Sequence, residues 1–394
     1  MRSALNPFNP GSGLKPPALV GRDAELNAAG ALFERSAHGL QGRGIILSGL
    51  RGVGKTVLLN EVRDAAESAG WIVASFEARP DDAGKVGARQ TLARELTAQM
   101  WQLQHKSGGN NKVKKALGTI ASFNAKIGVS GLDLGVTLNP GRADSGNVEI
   151  DLPELISDIS SALKQEHRAL GIIIDELQDL DQELLRALLI AQHQSGQRGW
   201  PFYLIGAGLP HLPGVLAEAR SYAERLFDYQ TVASLSADLT AAALIEPLRP
   251  YNVFLEQKAL EMLVAESGGY PYFIQELGRA AWEVSAGPII TYQDALNAVG
   301  LALARLDQGF FRSRWERATT AERRMLVAMA SGSDEPELSS EVAKRMGIQP
   351  SSLGPYRARL IHKGLVYAPD HGLVAFTVPG MNGFIKRHRD DEVT

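Results

Sequence analysis

The sequence predicts an α/β fold, a parallel sheet with helices on both faces, for residues 18–235. One observation is that apolar segments typical of buried strands alternate there with segments of helical periodicity, which favours parallel strands joined by helices. The other is a glycine-rich run between the first strand and the next helix, which fits the pattern G-x-x-x-x-G-K-[ST] at every position. The residues of this run are Gly49, Leu50, Arg51, Gly52, Val53, Gly54, Lys55 and Thr56.

The predicted elements follow one another along the chain. Strands are expected at 44–48, 71–78, 170–177, 201–206 and 227–233, and helices at 54–70, 86–106, 152–167, 181–198 and 211–225. Residues 107–148 interrupt this order. Within them, two alternating runs at 125–129 and 132–138 predict an inserted β-hairpin. The insertion is interpreted either as a surface elaboration or as an element that touches DNA or a neighbouring subunit.

The glycine-rich run predicts a nucleotide site of the P-loop type. Glycines let the backbone turn so that N–H groups face phosphate oxygens, and the following helix adds its positive N-terminal end. Lys55 is expected to reach the β- and γ-phosphates, and the Thr56 hydroxyl to ligate Mg²⁺. Val57, in the first turn of the helix, is included among the predicted contacts. ATP or ADP with Mg²⁺ is therefore the expected ligand.

A second strand end carries the acidic groups that ATP hydrolysis requires. Residues 171–174 are apolar and are followed by Asp175 and Glu176. In open α/β sheets the carboxyl ends of the strands meet at the edge where ligands bind. Asp175 is predicted to hold Mg²⁺ through water, and Glu176 to polarise the attacking water. Glu176 and Lys55 are thus predicted catalytic residues.

The composition limits the function classes and the organisation of the chain. With 394 residues, a formal charge of −3 and no cysteine, the chain has no global positive charge for nucleic acid, no disulfide and no thiolate zinc site. No signal peptide or membrane span is recognised, so a cytoplasmic location is expected. We predict an extended arm at 1–17, a P-loop ATPase domain at 18–235, an all-helical lid at 236–310 and a winged-helix domain at 311–394.

The winged-helix prediction rests on three helical segments followed by two short strands around a turn. The third helix would present polar and cationic side chains to DNA. The predicted DNA contacts are Ser351, Ser352, Tyr356, Arg357, Arg359 and Lys363. Between residues 351 and 389, six cations stand against Asp370 alone, a local excess that suits the DNA backbone. Docking of a protein partner on this domain is the alternative.

Several motifs resemble those of AAA+ and STAND ATPases. Residues 18–26, which include Val20 and Arg22, resemble the box before the first strand in STAND and Orc/Cdc-type initiator ATPases, where it lies over the adenine. Pro271, two residues after a glycine pair, is similar to the proline of the Gly-x-Pro motif, which packs on base and ribose in those families. The resemblance implies an AAA ATPase domain with a helical lid and a C-terminal winged helix. It also implies that Val20, Arg22 and Pro271 contact the nucleotide. For Pro271 the alternative is that it only starts the helix that follows, where a missing N–H costs little.

Two further positions are interpreted through the same resemblance. Residues 206–208 are Gly-Ala-Gly at the strand tip where AAA+ proteins usually carry a polar γ-phosphate sensor, so slow, regulatory hydrolysis is expected. Arg225, just before the last strand, resembles the arginine finger that reaches the γ-phosphate of a neighbouring subunit, with Arg220 as the reserve. A solvated arginine paired with Glu218 or Glu224 is the alternative.

Three functions are compatible with these features. The first is an ATP-dependent switch that binds double-stranded DNA through the winged helix and assembles when ATP is bound. The second is a STAND-like signalling or defence ATPase whose nucleotide state controls assembly with a protein partner. The third is a transposition-regulator-type ATPase, because residues 208–210 and the region around Arg225 look like the same stretch of those proteins.

Overall fold

A parallel β-sheet forms the centre of the first part of the chain. The structure is a computed structural model that describes residues 1–80, 82–106, 110–126, 141–333 and 335–388. Within these residues five parallel strands have the order β2-β3-β4-β1-β5. They are β1 (Gly44–Ser48), β2 (Ile72–Glu77), β3 (Leu170–Asp175), β4 (Phe202–Gly208) and β5 (Phe227–Thr231). This order places β4 between the P-loop strand β1 and the acidic strand β3.

Helices cover both faces of this sheet, as the sequence predicts. They are α1 (Asp23–Ala37), α2 (Lys55–Ser68), α3 (Asp82–Lys106), α4 (Asn111–Lys126), α5 (Val148–Gln165), α6 (Gln182–Arg198) and α7 (Leu212–Ala219). Successive strand residues face opposite sides of a sheet. Ile46 and Ile172 therefore pack with α3 to α7, whereas Ile45 and Ile173 pack with α1 and α2. The α/β fold class is confirmed.

The insertion differs from its prediction where the structure describes it. Ala125 and Lys126, expected to begin a strand, are the last residues of α4. The buried side chains of α4 include Val113, Leu117 and Ile120, a spacing of four and three residues that matches a helix and not a strand. The rest of the predicted hairpin, through residue 138, lies outside the described residues.

A helical unit follows the sheet. Its helices are α8 (Ala237–Ile245), α9 (Gln257–Ser267), α10 (Pro271–Val284) and α11 (Tyr292–Arg305), accompanied by the short parallel strands β6 (Phe254–Leu255) and β7 (Ile289–Ile290). Residues 1–9 run along this lid. Phe8 is 4% exposed within the lid core, and a Cβ on Gly278 of α10 would be 2.5 Å from its ring. The arm is therefore anchored to the lid.

A joint of unusual geometry leads from the lid to the C-terminal unit. Leu306–Phe311 form a π-helical turn that continues α11 directly into α12 (Arg312–Glu316). The C-terminal unit then consists of α13 (Thr320–Ala330), β8 (Glu337–Leu338), α14 (Ser339–Met346), α15 (Pro350–His362), β9 (Val366–Tyr367), β10 (Leu373–Phe376) and α16 (Met381–His388). Strand β10 pairs antiparallel with β8 and β9. Three helices and a hairpin thus occur where the sequence predicts them. Among the described residues, no helix combines the length and apolarity needed to cross a membrane.

Candidate nucleotide-binding site

Two glycines allow the sharp backbone turn of the P-loop. Gly52 and Gly54 have φ values of 86° and 96°, a left-handed conformation that favours glycine. The side chain of Val53, between them, is buried against the sheet and fixes the turn. Helix α2 begins directly at Lys55, so its first N–H groups have no partner within the helix and are available to an anion.

Lys55 lies folded back over its own loop. Its Nζ donates to the carbonyls of Gly49 and Leu50, each at 2.9 Å. The residue is 6% exposed, and this burial lowers the pKa of the ammonium. The amine is therefore desolvated and held by backbone carbonyls at the phosphate-binding turn.

The hydroxyl of Thr56 and the carboxylate of Asp175 meet at the end of β3. Thr56 Oγ1 donates to Asp175 Oδ2 at 2.5 Å, and the backbone N–H of Glu176 donates to Asp175 Oδ1 at 2.8 Å. Burial raises the pKa of Asp175, although the Thr56 hydrogen bond opposes this rise. The two predicted magnesium ligands are thus in direct contact. Across the described residues, no group of three His, Cys, Asp or Glu side chains could hold a metal ion by itself.

Glu176 is held by two polar neighbours. Its backbone has φ 49° and ψ 42°, a left-handed conformation that is costly for a residue other than glycine. Gln178 Nε2 donates to Glu176 Oε2 at 2.7 Å, and the Arg51 guanidinium lies 3.4 Å from Glu176 Oε1. The carboxylate is therefore oriented from both sides.

Gln178, which the sequence analysis did not identify, connects this carboxylate to β4. Its Oε1 accepts a hydrogen bond from the Leu209 N–H at 3.1 Å. A Cβ on Gly208 would be 2.2 Å from the same oxygen. The glycine at the β4 tip thus makes room for an amide supplied by the next turn after β3. In the sequence, the only indication of this role of Gln178 is its position two residues after Glu176.

These groups surround a cavity of about 450 Å³. Most of the predicted nucleotide contacts line it, whereas Gly49 and Leu50 do not. The predicted residues that do are Val20, Arg22, Arg51, Gly52, Val53, Gly54, Lys55, Thr56, Val57, Asp175, Glu176 and Pro271. Lining residues that the sequence analysis missed include Tyr272, Phe310, Arg314 and residues 9–14 of the arm.

The side chain of Arg22 supports the P-loop by bonding to the backbone of the loop. Its guanidinium donates to the carbonyls of Val53 and Ala233 at 2.9 and 2.8 Å. Burial lowers the pKa of Arg22, and Glu25, at 3.8 Å, is its acidic partner among the described residues. The side chain therefore fixes the P-loop against the segment that follows β5.

Comparisons with known proteins agree with this geometry. Residues 18–204 match the family model described as AAA ATPase domain. The first part of the chain is an AAA ATPase domain. Residues 308–385 match the model of a domain of unknown function, DUF8462. Among proteins of curated function, none matches the sequence.

Solved structures share the fold of the whole chain. The Walker-type ATPase paby2304 of Pyrococcus abyssi is 15% identical, with a TM-score of 0.61 over 97% of this chain and 99% of that one. The ORC2 protein of Aeropyrum pernix in its ADP form is 15% identical, with a TM-score of 0.52 over 98% of both chains. These likenesses confirm, at the level of fold, the predicted resemblance to Orc/Cdc-type AAA+ ATPases.

Arg225 lies far from the P-loop of the same chain. Arg225 ends a short 3₁₀ helix before β5, and Phe227 is in register with Gly44, at the opposite end of β1 from the P-loop. Its side chain is exposed and has no hydrogen bond or ion pair to any residue that the structure describes. Arg220, the reserve, pairs with Glu149 at 2.5 Å. The Arg225 side chain thus faces solvent, away from the P-loop of the same chain.

The predicted DNA contacts have structural partners within the C-terminal unit. Arg359 and Lys363 bind Glu322 at 2.9 and 2.6 Å, and Glu322 is 0% exposed. Burial raises the pKa of Glu322, but hydrogen bonds from these cations and from Thr319 lower it to about 2. Arg357 donates to the Leu373 carbonyl at 2.9 Å. These cations therefore hold α15 against α13 and β10.

The remaining predicted DNA contacts differ in exposure. Ser351 and Ser352, at the start of α15, are exposed, whereas Tyr356 packs against the core of the C-terminal unit. Ser351, Ser352 and Arg359 are therefore the predicted DNA contacts on α15 that are exposed.

The opposite end of α15 faces the AAA ATPase domain. The Arg51 N–H donates to the Thr377 carbonyl at 3.1 Å, and a Cβ on Gly364 would be 2.8 Å from the Arg51 guanidinium. Tyr367 and Ala375 form a small apolar cluster with Leu209. The C-terminal unit thus packs directly on the P-loop and on the end of β4.

Proposed function

We propose that the chain is an ATP-hydrolysing switch in which the bound nucleotide controls the docking of the C-terminal unit. The observation that carries this proposal is the position of Arg51. Its backbone binds the Thr377 carbonyl at 3.1 Å, and its guanidinium is 3.4 Å from the Glu176 carboxylate. One P-loop residue therefore connects the proposed hydrolytic group to the C-terminal unit.

The side chains around the cavity fit a magnesium-bound triphosphate. Free N–H groups at the start of α2 and the Lys55 ammonium suit phosphate oxygens. Thr56 and Asp175 supply two adjacent oxygens, and Mg²⁺ in nucleotide sites takes few protein ligands besides phosphates and water. When bound, Mg²⁺ neutralises charge that develops on the phosphates. Glu176 would accept the proton of the attacking water, with Gln178 and Arg51 orienting its carboxylate.

The site itself is tested by nucleotide binding. The Lys55→Ala variant should lose measurable ATP binding in isothermal titration calorimetry, because no other ammonium lies at the turn among the described residues. Exchange of the exposed Lys112 for alanine is a matched control on a distant helix. Equal ATP affinity of all three proteins would contradict the proposed site.

Docking is tested with two glycines of the same unit. Gly364 and Gly372 both have positive φ values, 64° and 77°, so alanine introduces comparable backbone strain at each. Only at Gly364 does the added Cβ meet the Arg51 guanidinium, whereas nothing lies within 4 Å at Gly372. Gly364→Ala should therefore change ATP turnover and raise hydrogen exchange of the P-loop, and Gly372→Ala should not. Identical behaviour of the two variants would contradict the docking switch.

ATP-dependent self-assembly through Arg225 is part of the proposal. It is supported by the exposed position of Arg225 at the sheet edge opposite the P-loop, where it is available to a neighbouring molecule. Guanidinium is permanently charged and bidentate, which suits a phosphate in a neighbouring site. Arg225→Ala should lower ATP turnover only at protein concentrations where the wild type assembles. Analytical ultracentrifugation with and without ATP measures that assembly.

Binding of double-stranded DNA is a second candidate function. It is supported by the local excess of cations after residue 351 and by the exposed start of α15. Loss of Arg359 or Lys363 would also remove partners of the buried Glu322, so those variants confound stability with binding. Ser351→Glu and Ser352→Glu avoid this problem and should weaken salt-dependent duplex binding. Absence of duplex binding by the wild type at low salt would favour a protein partner, as in the signalling alternative.

A further inference from the structure

Arg314 is a cation without an anionic partner at the nucleotide cavity. It lies on α12, lines the cavity, and donates from one guanidinium nitrogen to the Phe310 carbonyl at 2.7 Å. Its guanidinium carbon is 3.9 Å from the centroid of the Phe310 ring. Among the residues that the structure describes, no carboxylate lies within ion-pair distance of it. Its charge is therefore available to a ligand.

The charges near Arg314 also indicate an anion. Burial lowers the pKa of Arg314, and Tyr270 opposes this change. The neighbouring cations Arg51 and Arg317 lower the pKa further. Guanidinium nevertheless stays protonated in proteins. Three arginines, Arg22, Arg51 and Arg314, thus line one cavity. In the described structure, the only acid that partners Arg51 or Arg314 is Glu176. A polyanion would relieve this repulsion.

Unpartnered polar atoms lie at the same end of the P-loop. The Tyr270 hydroxyl belongs to a residue that is 2% exposed, and a Cβ on Gly52 would be 2.5 Å from it. Neither this hydroxyl nor Arg51 Nε has a hydrogen-bond partner within the described part of the chain. Meanwhile, the glycine tip of β4 offers no side chain to a phosphate. We therefore expect another part of the fold to supply charge, besides that of Lys55, for the far end of the nucleotide.

The position of Arg314 along the chain connects this charge to the C-terminal unit. It follows the π-helical turn 306–311, a geometry that is often found at functional sites. Within that turn, Phe310 stacks on Tyr272 of the lid at 4.7 Å, whereas Phe311 stacks on Phe384 of the C-terminal unit at 5.5 Å. A ligand that moves Arg314 would therefore also move the joint between the lid and the C-terminal unit.

We propose that Arg314 binds the terminal phosphate of the nucleoside triphosphate and thereby sets the position of the C-terminal unit through the π-helical joint. We assign the terminal phosphate to Arg314 because Arg51, the cation beside it, pairs with the proposed hydrolytic carboxylate of Glu176. This inference rests on the proposed nucleotide site. Arg314 would be a binding residue that senses the triphosphate and is not a general acid or base.

The test compares two ligands in one variant. In isothermal titration calorimetry, Arg314→Ala should bind a non-hydrolysable ATP analogue about 10- to 100-fold more weakly than the wild type, because a charge-assisted hydrogen bond is lost. Its ADP affinity should stay within about twofold. Arg314→Lys keeps the charge without the planar fork and should recover part of the loss. Arg317→Ala, three residues along and exposed, is the matched control.

A second measurement tests whether ligand binding at Arg314 affects the C-terminal unit. The ATP analogue should change hydrogen exchange around residues 360–378 in the wild type and in Arg317→Ala, but not in Arg314→Ala at saturating analogue. Equal loss of ADP and analogue affinity, or no loss of either, would overturn the assignment of Arg314. Binding of neither nucleotide by the wild type would instead overturn the nucleotide site on which the inference rests.

Discussion

Removal of the Phe8 ring should release the N-terminal arm from the nucleotide cavity. Phe8 is 4% exposed in the lid core, and Phe-to-Ala substitution in a core costs about 3–5 kcal/mol. The arm also bonds to α10 through Asn6, whose Nδ2 donates to the Arg279 carbonyl at 3.0 Å. Because these contacts attach an extended segment, the loss should fall on arm docking rather than on global unfolding. A loss of about 3 kcal/mol lowers the equilibrium constant for arm docking about 100-fold.

The consequence should appear at the nucleotide, since residues 9–14 line the cavity. Stopped-flow release of a fluorescent ADP analogue should be about 10- to 100-fold faster in Phe8→Ala, the upper value being set by the loss of docking. Gly278→Ala should act in the same direction, because its Cβ would be 2.5 Å from the Phe8 ring. Leu5→Ala is the matched control, since Leu5 is 47% exposed on the same arm. Equal release rates for Phe8→Ala and Leu5→Ala would refute the reasoning.

Three further outcomes follow from the site and the C-terminal unit. Glu176→Gln should bind ATP normally but turn it over about 10²- to 10⁴-fold more slowly in a phosphate-release assay, and unchanged turnover would exclude Glu176 as the base. Burial and Glu176 raise the pKa of Asp179 to about 6. The protonated carboxyl of Asp179 therefore contributes folding stability that is fully present below the ordinary aspartate pKa and is lost as pH rises through about 6. Asp179→Asn should therefore gain Tm over the wild type between about pH 5 and about pH 7.5, and a pH-independent gain contradicts this. The pKa of Glu322 is lowered to about 2, so its contribution is present above the ordinary glutamate pKa and lost as pH falls. Urea unfolding of Glu322→Gln should show a deficit of about 3 kcal/mol at neutral pH that shrinks in acid, and a constant deficit counts against the ion pairs.

Local signals were sufficient where one short segment decides the outcome. The P-loop pattern placed the turn before α2, because positive φ values at Gly52 and Gly54 are a property of those residues and their neighbours. The apolar run before Asp175 placed β3 and its carboxyl end in the same way. The insertion shows the limit of such signals. Ala125 and Lys126 alternate with their neighbours like a strand, yet they end α4, whose buried face extends back to Val113.

Contacts between distant segments could not be predicted from local patterns. Gln178 accepts a hydrogen bond from Leu209 because the strand order brings β4 beside β3 and leaves a glycine at its tip. Arg359 and Lys363 look like DNA contacts in the sequence, but the fold places the buried Glu322 beside them.

The sequence by itself thus determined the α/β fold class, the phosphate-binding turn and the acidic strand end, since each depends on backbone preferences and periodicity within a few residues. Only the tertiary structure decided which charges are free and which are paired. It left Arg314 without a carboxylate at the cavity, among the described residues, and it set Thr377 against the P-loop. The physical reason is that the energy of a charge depends on burial and on neighbours far away in the chain, and the fold alone brings those together.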